Sequence, residues 1–517
     1  MSDDAMAVGA ALARAADPGA LRRTLARLGE VTVRETHGST VFLVGDRAYK
    51  LRKPMNANGA DLRTLGARFR AGARDLELGM ALAPGIVIGT LSVVPSGDGE
   101  DYLLTPSAEA EAIDALVEMA RYDEADTMRE RLRRHTLTGA QARAVGAKMA
   151  TFHRAAARVP GGVDYRAVLN RNVEALMRLA GDHLAPAQWF GLQRFAAAFL
   201  LGWAEVLRAR AAAGTVIDAH GDLRTEHVLI EGSRVRVVDR PEFDVLRRCD
   251  VADELGTLLV DLADQGAPPE VAAAVLSGYS EAGGALPPDA LVAFFGSYRA
   301  QVRARVALVR AAELADEPAA SERAHALRLL ALSQRLGWQA RGPLLLLVTG
   351  PAAAGRSTLA TALAEASGLR ILSSDVVRGE GTTEPPDHSP EARYGVYAEL
   401  AERAGDGRAT IVDATFGDHE ARRTFTEGLG APRAETLLVI ECTAPTADRT
   451  DRAARRSAPQ TGAPDDRAEE AANQSRTFTS MDAHAGRLSI DTQAPIGLQV
   501  EAVASWLDSL LATGRAG

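Results

Sequence analysis

The chain has 517 residues, 46% hydrophobic and 25% charged, with a formal net charge of −9. That length exceeds what one hydrophobic core usually organises, so two or three domains are expected in a chain of globular composition. The acidic balance argues against a general nucleic-acid binder, whose footprint is basic. Two cysteines, Cys249 and Cys442, are too few and too far apart for a disulfide framework or a zinc spacing. The opening MSDDAMAVGAALARAADPGA lacks the basic segment of a signal peptide. No apolar run approaches a membrane span; LLLLV at 344–348 has strand length. A cytoplasmic protein with neither nucleic acid nor membrane as partner is expected.

In chain order, residues 18–29 (PGALRRTLARLG) carry a helical apolar period. VTVRETH, STVFLV and RAYKLRK then alternate as strands, broken at Gly38 and at Gly45-Asp46, which predicts a three-strand meander with THGST (36–40) as its first turn. A helix is expected over 61–83, strands over IVIGTLSVV (86–94) and DYLLTP, and nearly continuous helix from 126 to about 212. A strand–loop–strand unit covers 215–239, followed by helices to about 340. GWQARGP (337–343) reads as a boundary. Beyond it, strands at LLLLVTG, RILSS, ATIVDA and TLLVIEC alternate with helical stretches, the pattern of a parallel sheet flanked by helices. Residues 448–471 are charged and interrupted by Pro and Gly, and read as a mobile lid or loop.

The stretch HGDLRTEH (220–227) puts Asp222 in a loop, where a carboxylate can accept the proton of an attacking hydroxyl. His227 opens one strand and Asp239 ends the next, so a hairpin through EGSR brings 227 and 239 together. Lys50 lies in the third strand of the meander. A lysine there can hold nucleotide phosphates and be steadied by an acid of the next helix, which carries Asp75 and Glu77. Lys53 is a rival for that role. Phosphoryl transfer needs one acid near the nucleophile, two magnesium ligands and a cation on the phosphates. Glu242 either adds a third carboxylate or pairs with Arg247 or Arg248.

HGDL followed by a hairpin and an aspartate resembles the aminoglycoside phosphotransferase family, a branch of the protein-kinase-like fold. RETHGSTVFLVGDRAYKLRKP, VEMARYD (117–123) and DVADELGTLLVDL extend the resemblance to a bacterial family in which such a domain is fused to a P-loop ATPase. The resemblance implies that Lys50 contacts ATP and that Asp75 stands where the family has its helix acid. It implies that 117–121, with Glu118 and Ala120, is the adenine-binding hinge. It further implies that Asp222 is the catalytic base and Asp239 a magnesium ligand. His227 stands where such loops carry asparagine. Imidazole can ligate a divalent ion but prefers softer metals than magnesium, so either manganese tolerance or one weakened metal site is expected.

GPAAAGRST (350–358) has the spacing GxxxxGK[ST] between a buried strand and a helix. Gly350 and Gly355 let backbone N–H groups face phosphate, Ser357 reaches magnesium and Thr358 follows it. Arg356 replaces the lysine, keeping charge without the compact ammonium. Asp375 follows the second strand and Asp413 the third, at the ends where parallel sheets bind ligands. This unit resembles small-molecule kinases of the P-loop class, such as gluconate kinase and zeta-toxin-like kinases. By that resemblance Asp375 is a base and substrate ligand, and Asp413 a magnesium or water-positioning acid. Arg449, Arg452, Arg455 and Arg456 are candidate lid charges.

The expectation is thus a two-domain chain, α+β and α/β. A protein-kinase-like domain covers 1–340, with a β-rich small lobe over about 30–120 and a helical lobe over about 121–340. A P-loop kinase-like parallel sheet covers 341–517. The expected activity is ATP-dependent phosphorylation of a hydroxyl on a small molecule, with ATP and Mg2+ as cofactors and Mn2+ as a substitute. The alternative is a non-catalytic nucleotide-binding regulatory or stress protein with two decayed sites.

Overall fold

Alternating burial builds the first sheet. β1 (Val31–Glu35), β2 (Ser39–Val44) and β3 (Arg47–Arg52) form the expected antiparallel meander, with Val41 opposite Lys50. The computed structural model describes residues 15–36, 38–57, 60–97, 101–106, 110–180, 186–380, 390–456, 478–480 and 486–514. After the helix Leu65–Leu82 come β4 (Val87–Pro95), β5 (Tyr102–Thr105) and β6 (Asp114–Ala120), and the sheet order is β1-β2-β3-β6-β4-β5. Phe42, Tyr49, Leu51, Val93 and Leu116 bury one face against Leu21 and Leu25 of the helix Pro18–Ala26. The helix starts at Leu65 rather than 61 because the Thr64 hydroxyl accepts the Ala67 N–H and so caps it there. A buried Arg68–Asp114 ion pair at 2.6 Å pins this helix to β6. Asp75 lies two turns further along the same helix face.

The helices Met128–Arg133 and Gly139–Ala155 follow. β7 (Val216–Asp218), the hairpin of β8 (Val228–Glu231) and β9 (Arg234–Val237), and β10 (Arg248–Asp250) come next, with β7 pairing β10. The helices Val251–Asp264 and Pro269–Glu281 complete the group. Their shared core includes Met149, Ile217, Leu223, Val228, Leu255, Leu258 and Val275. A β-rich lobe followed by a helical lobe that carries a loop and hairpin is the protein-kinase-like arrangement.

The second sheet is parallel throughout. β11 (Leu345–Thr349), β12 (Arg370–Ser373), β13 (Thr410–Asp413), β14 (Leu437–Thr443) and β15 (Arg487–Asp491) stand in the order β12-β13-β11-β14-β15. β11 is buried along its whole length, as a central parallel strand covered on both faces must be. The helices Arg356–Ser367, Pro390–Ala404, His419–Leu429 and Ile496–Ala512 accompany it. This is a P-loop kinase-like sheet.

The chain forms two compact units, Met1–Val163 with Ala209–Pro288, and Asp164–Arg208 with Asp289–Gly517. The division differs from a single cut near 340. The helices Tyr165–Ala180, Pro186–Gly202, Asp289–Glu313 and Asp316–Ala340 belong to the unit of the parallel sheet. Buried Asp508 on the C-terminal helix shows why, because it binds Arg194 at 2.8 Å and Arg341 at 2.7 Å. Among the described residues no single helix is long and apolar enough to cross a membrane.

Candidate active site

A cavity of about 1220 Å³ opens in the first unit, larger than the ~300–1,000 Å³ typical of small-molecule pockets. Lys50, Asp75, Ala120, Tyr122, Arg224, His227 and Asp239 line it. Lys50 Nζ stands 3.5 Å from Asp75 Oδ2. The competing residues are engaged elsewhere. Glu77 pairs with Arg74 at 2.6 Å, and Lys53 donates to Thr36 O at 2.8 Å and pairs with Glu35. Of the turn THGST, His37 lies outside the described residues. In the hinge, Ala120 reaches the cavity while its N–H donates to Ile86 O at 2.7 Å. Glu118 turns its side chain to Arg47, 3.5 Å away.

The HGD loop is held from beneath by one helix. Glu254 accepts the N–H of Gly221 at 2.7 Å and that of His220 at 2.9 Å, and it meets His153 Nε2 at 3.0 Å. Seven residues later on the same face, Asp261 accepts the Thr225 N–H at 2.7 Å and its hydroxyl at 2.5 Å. Gly221 has φ +88°, and a Cβ there would lie 2.6 Å from the Leu246 carbonyl oxygen, so the loop requires glycine. His220 Nε2 donates to Val238 O at 2.8 Å, and its Nδ1 accepts the Asp222 N–H at 3.3 Å. Those partners assign the neutral tautomer with the proton on Nε2. Burial pushes the His220 pKa down to about 4.

Burial also works against the charge of Glu254. The hydrogen bond from His153, the nearby imidazoles and the Gly221 N–H outweigh it and bring the carboxyl down to about 2. Both groups set a dependence of stability on pH. The unfolded chain takes up the His220 proton near its ordinary value of about 6.5, before the folded chain does. Stability therefore falls as the pH drops from about 6.5 to about 4. The Glu254 contribution is present above its ordinary value and is lost as the pH falls from there toward about 2. Denaturant unfolding across a pH series is expected to show this slope in the wild type. In His220→Asn the upper window loses about one proton's worth of slope.

Asp222 projects from this loop with its side chain 41% exposed. Burial opposes its charge, but Arg224, His227 and His220 outweigh that and hold its pKa below the ordinary carboxylate value. Arg224 Nε lies 3.2 Å from Asp222 Oδ2, and Arg224 also pairs with Glu226. In the hairpin Val228 stands opposite Val237, and the Val238 N–H donates to His227 O at 2.9 Å. This register leaves His227 Nε2 3.9 Å from Asp239 Oδ2. His227 Nδ1 donates to Asp222 O at 2.8 Å, and its Nε2 accepts from Arg224 Nη2 at 3.2 Å. Asp239 sits in left-handed backbone at φ +58°, a strained conformation that aspartate tolerates better than most residues. Burial opposes the Asp239 charge, while His227, Lys50 and His220 hold its pKa down.

The separation fits a shared cation, because two ligands each about 2.1 Å from one ion stand no more than about 4.2 Å apart. Among the described residues no group of three His, Cys, Asp or Glu side chains is arranged around a metal position. An ion held by His227 and Asp239 would complete its shell from phosphate and water, as magnesium sites commonly do.

Glu242 corrects an expectation. It neither joins the metal position nor pairs with Arg247 or Arg248. Its side chain points back to β3 and accepts from Arg52 Nη2 at 2.6 Å. Arg247 is held by Asp218 at 2.8 Å and by Asp244, and Arg248 by Asp244 at 3.3 Å.

In the second unit, Gly355 at φ +90° precedes the helix that begins at Arg356, the strand–loop–helix context of a phosphate loop. Gly350 has φ +143°, and a Cβ there would meet the Cys442 carbonyl oxygen at 2.5 Å. Ser357 and Thr358 are exposed at the helix start. Arg356 Nη1 and Asp413 Oδ1 face each other at 4.0 Å, both atoms buried without a hydrogen-bond partner. Asp375 stands apart, 76% exposed and 3.4 Å from Arg378. Of the lid, the helix Thr446–Arg456 is described, and Arg452 on it donates to Thr492 Oγ1 at 3.0 Å, whose hydroxyl donates to Ala354 O at 2.7 Å. The rest of the expected lid, 457–471, lies outside the described residues.

Sequence reasoning missed Arg52, His153, Glu254 and Asp261. The last two left a signal: they are acids seven apart in the mostly apolar ELGTLLVDL, where helical spacing sets both on one buried face.

Residues 345–480 match the protein-family model AAA_33, described as an AAA domain. A choline/ethanolamine kinase family protein from Mesorhizobium loti aligns at 17% identity and TM-score 0.37, over 64% of this chain and 99% of its own. A gluconokinase from Sinorhizobium meliloti aligns at 18% identity and TM-score 0.28, over 33% of this chain and 95% of its own. The Mycobacterium tuberculosis protein named "Uncharacterized protein Rv2004c" is 30% identical over 452 residues, covering 83% of this chain and 86% of its own length. Similarity along so much of both chains spans the kinase-like unit as well as the P-loop unit, and this chain belongs to the family of that mycobacterial protein.

Proposed function

We propose that the protein is an ATP-dependent phosphotransferase that phosphorylates a hydroxyl of a small molecule in the cavity of its first unit. The observation that carries this reading is that Lys50, His227 and Asp239 line one cavity, with Asp222 Oδ2 3.8 Å from His227 Nδ1. Lys50, held by Asp75, neutralises the nucleotide phosphates. Asp222, held below the ordinary carboxylate value chiefly by Arg224, takes the proton of the attacking hydroxyl. Arg224 stands beside that carboxylate, where charge builds on the transferred phosphoryl group. Asp239 and His227 would hold a divalent cation, which would supply charge neutralisation for the phosphates. The P-loop unit supplies a second nucleotide site. Its Arg356, facing Asp413, favours binding over turnover there, because a guanidinium lacks the compact fit of lysine. Both cysteines are free and buried, in keeping with a reducing cytoplasm.

The test is ATP consumption by the full chain with a pooled metabolite extract, in Mg2+ and in Mn2+. Turnover is expected with both metals. Replacing the nitrogen ligand by an amide oxygen in His227→Asn is expected to raise the Mg2+/Mn2+ rate ratio by roughly tenfold. ATP binding without turnover in any metal would favour the regulatory reading instead.

A further inference from the structure

The strand that carries Lys50 and the loop that carries Asp239 share one buried guanidinium. Arg52 lies two residues beyond Lys50 on β3, with its side chain 5% exposed. Its Nη2 donates to Asp75 Oδ1 at 2.9 Å and to Glu242 Oε2 at 2.6 Å, and its Nε reaches the same Glu242 oxygen at 3.2 Å. The other oxygen of Asp75 faces Lys50 at 3.5 Å. Glu242 is three residues past Asp239. Two cations and two carboxylates thus close a neutral quartet across β3, the helix Leu65–Leu82 and the 239–242 loop.

Asp75 is divided between two cations, and that division has a consequence. A buried guanidinium demands a counter-charge. While Glu242 supplies one, Asp75 keeps an oxygen for Lys50. When Glu242 is neutralised or withdrawn, Arg52 draws Asp75 to itself, and Lys50 loses the partner that holds it toward the phosphates. We propose that Arg52 is a positioning residue that couples the nucleotide grip of Lys50 to the position of the Asp239 loop. The inference rests on the reading of this cleft as a nucleotide site. It adds a regulation: the site grips nucleotide when the loop with Asp239 and Glu242 is docked, and loosens when it is not. Lysine cannot replace Arg52 in this role, because one ammonium does not fork between two carboxylates.

The experiment measures binding of a fluorescent ATP analogue to the full-length chain, following the component that Lys50→Met abolishes. Glu242→Gln keeps shape and hydrogen bonding but removes the charge, and is expected to weaken that component about tenfold, within the usual range of coupling between sites. Arg52→Lys is expected to weaken it similarly, and the double variant no more than either single change. In the Lys50→Met background, Glu242→Gln has no effect on nucleotide binding. Multiplicative losses in the double variant, or affinity within about twofold of wild type in Glu242→Gln, overturn the coupling. If Lys50→Met removes no binding component, the nucleotide reading of the cleft falls, and the inference with it. Equal thermal midpoints for wild type and Glu242→Gln separate the effect from simple loss of folding.

Discussion

Asp222→Asn is expected to slow phosphoryl transfer by about 10²–10⁴-fold, the usual contribution of a positioned general base. Asparagine keeps the backbone N–H that His220 Nδ1 accepts, so the loop geometry survives the change. What disappears is the ability to take a proton, together with the charge that Arg224 faces at 3.1 Å. Nucleotide affinity is expected to stay within about twofold of wild type, because Lys50 and Asp75 are untouched. The comparison is ATP consumption, at saturating nucleotide, by wild type, Asp222→Asn and Arg356→Ala. Arg356→Ala is expected to retain most of the rate. The reverse pattern, with Arg356→Ala inactive and Asp222→Asn active, would move the chemistry to the P-loop unit.

The second large effect concerns stability. Glu254→Ala removes a fully buried acceptor and leaves the N–H groups of His220 and Gly221 and the imidazole of His153 without their partner. Each buried donor left without its partner typically costs about 1–3 kcal/mol. The unit that carries the cleft is expected to unfold at a correspondingly lower denaturant concentration. A selective readout is built into the sequence. All four tryptophans, at 189, 203, 338 and 506, lie in the other unit. Tryptophan fluorescence is therefore expected to report an almost unchanged transition while far-ultraviolet circular dichroism shows an earlier one. Coincident shifts in both signals would mean that the two units unfold together.

The parts of the site that were readable in the sequence are those fixed by local spacing. Alternation gave the meander and put Lys50 on its third strand. A four-residue turn between two short apolar runs brought His227 to Asp239. Two glycines five apart between a buried strand and a helix marked the phosphate loop. The supporting contacts were not readable, because they join residues distant in the chain and have no period. Arg52 and Glu242 are 190 positions apart, and His153 and Glu254 are 101 apart. Glu242 has Arg247 and Arg248 five and six residues after it, and proximity in sequence favoured them, yet the β3 guanidinium holds it. Domain membership failed to show for the same reason. The helices before 209 and after 288 have amphipathic patterns that say they pack, not against which core.

That membership bears on how the protein can be divided. The chain passes from one unit to the other after 163, returns at 209 and crosses again after 288. A gene truncated to begin at 341 would encode the parallel sheet without four of its helices. It would deprive Asp508 of Arg194, leaving it Arg341 alone, and bare the face of Ile496–Ala512 on which Pro186–Gly202 lies. The P-loop sheet is thus no detachable tail. Its stability is inherited partly from residues translated before the HGD loop of the other unit, so an in-frame deletion between 164 and 208 damages a sheet that begins more than a hundred residues later.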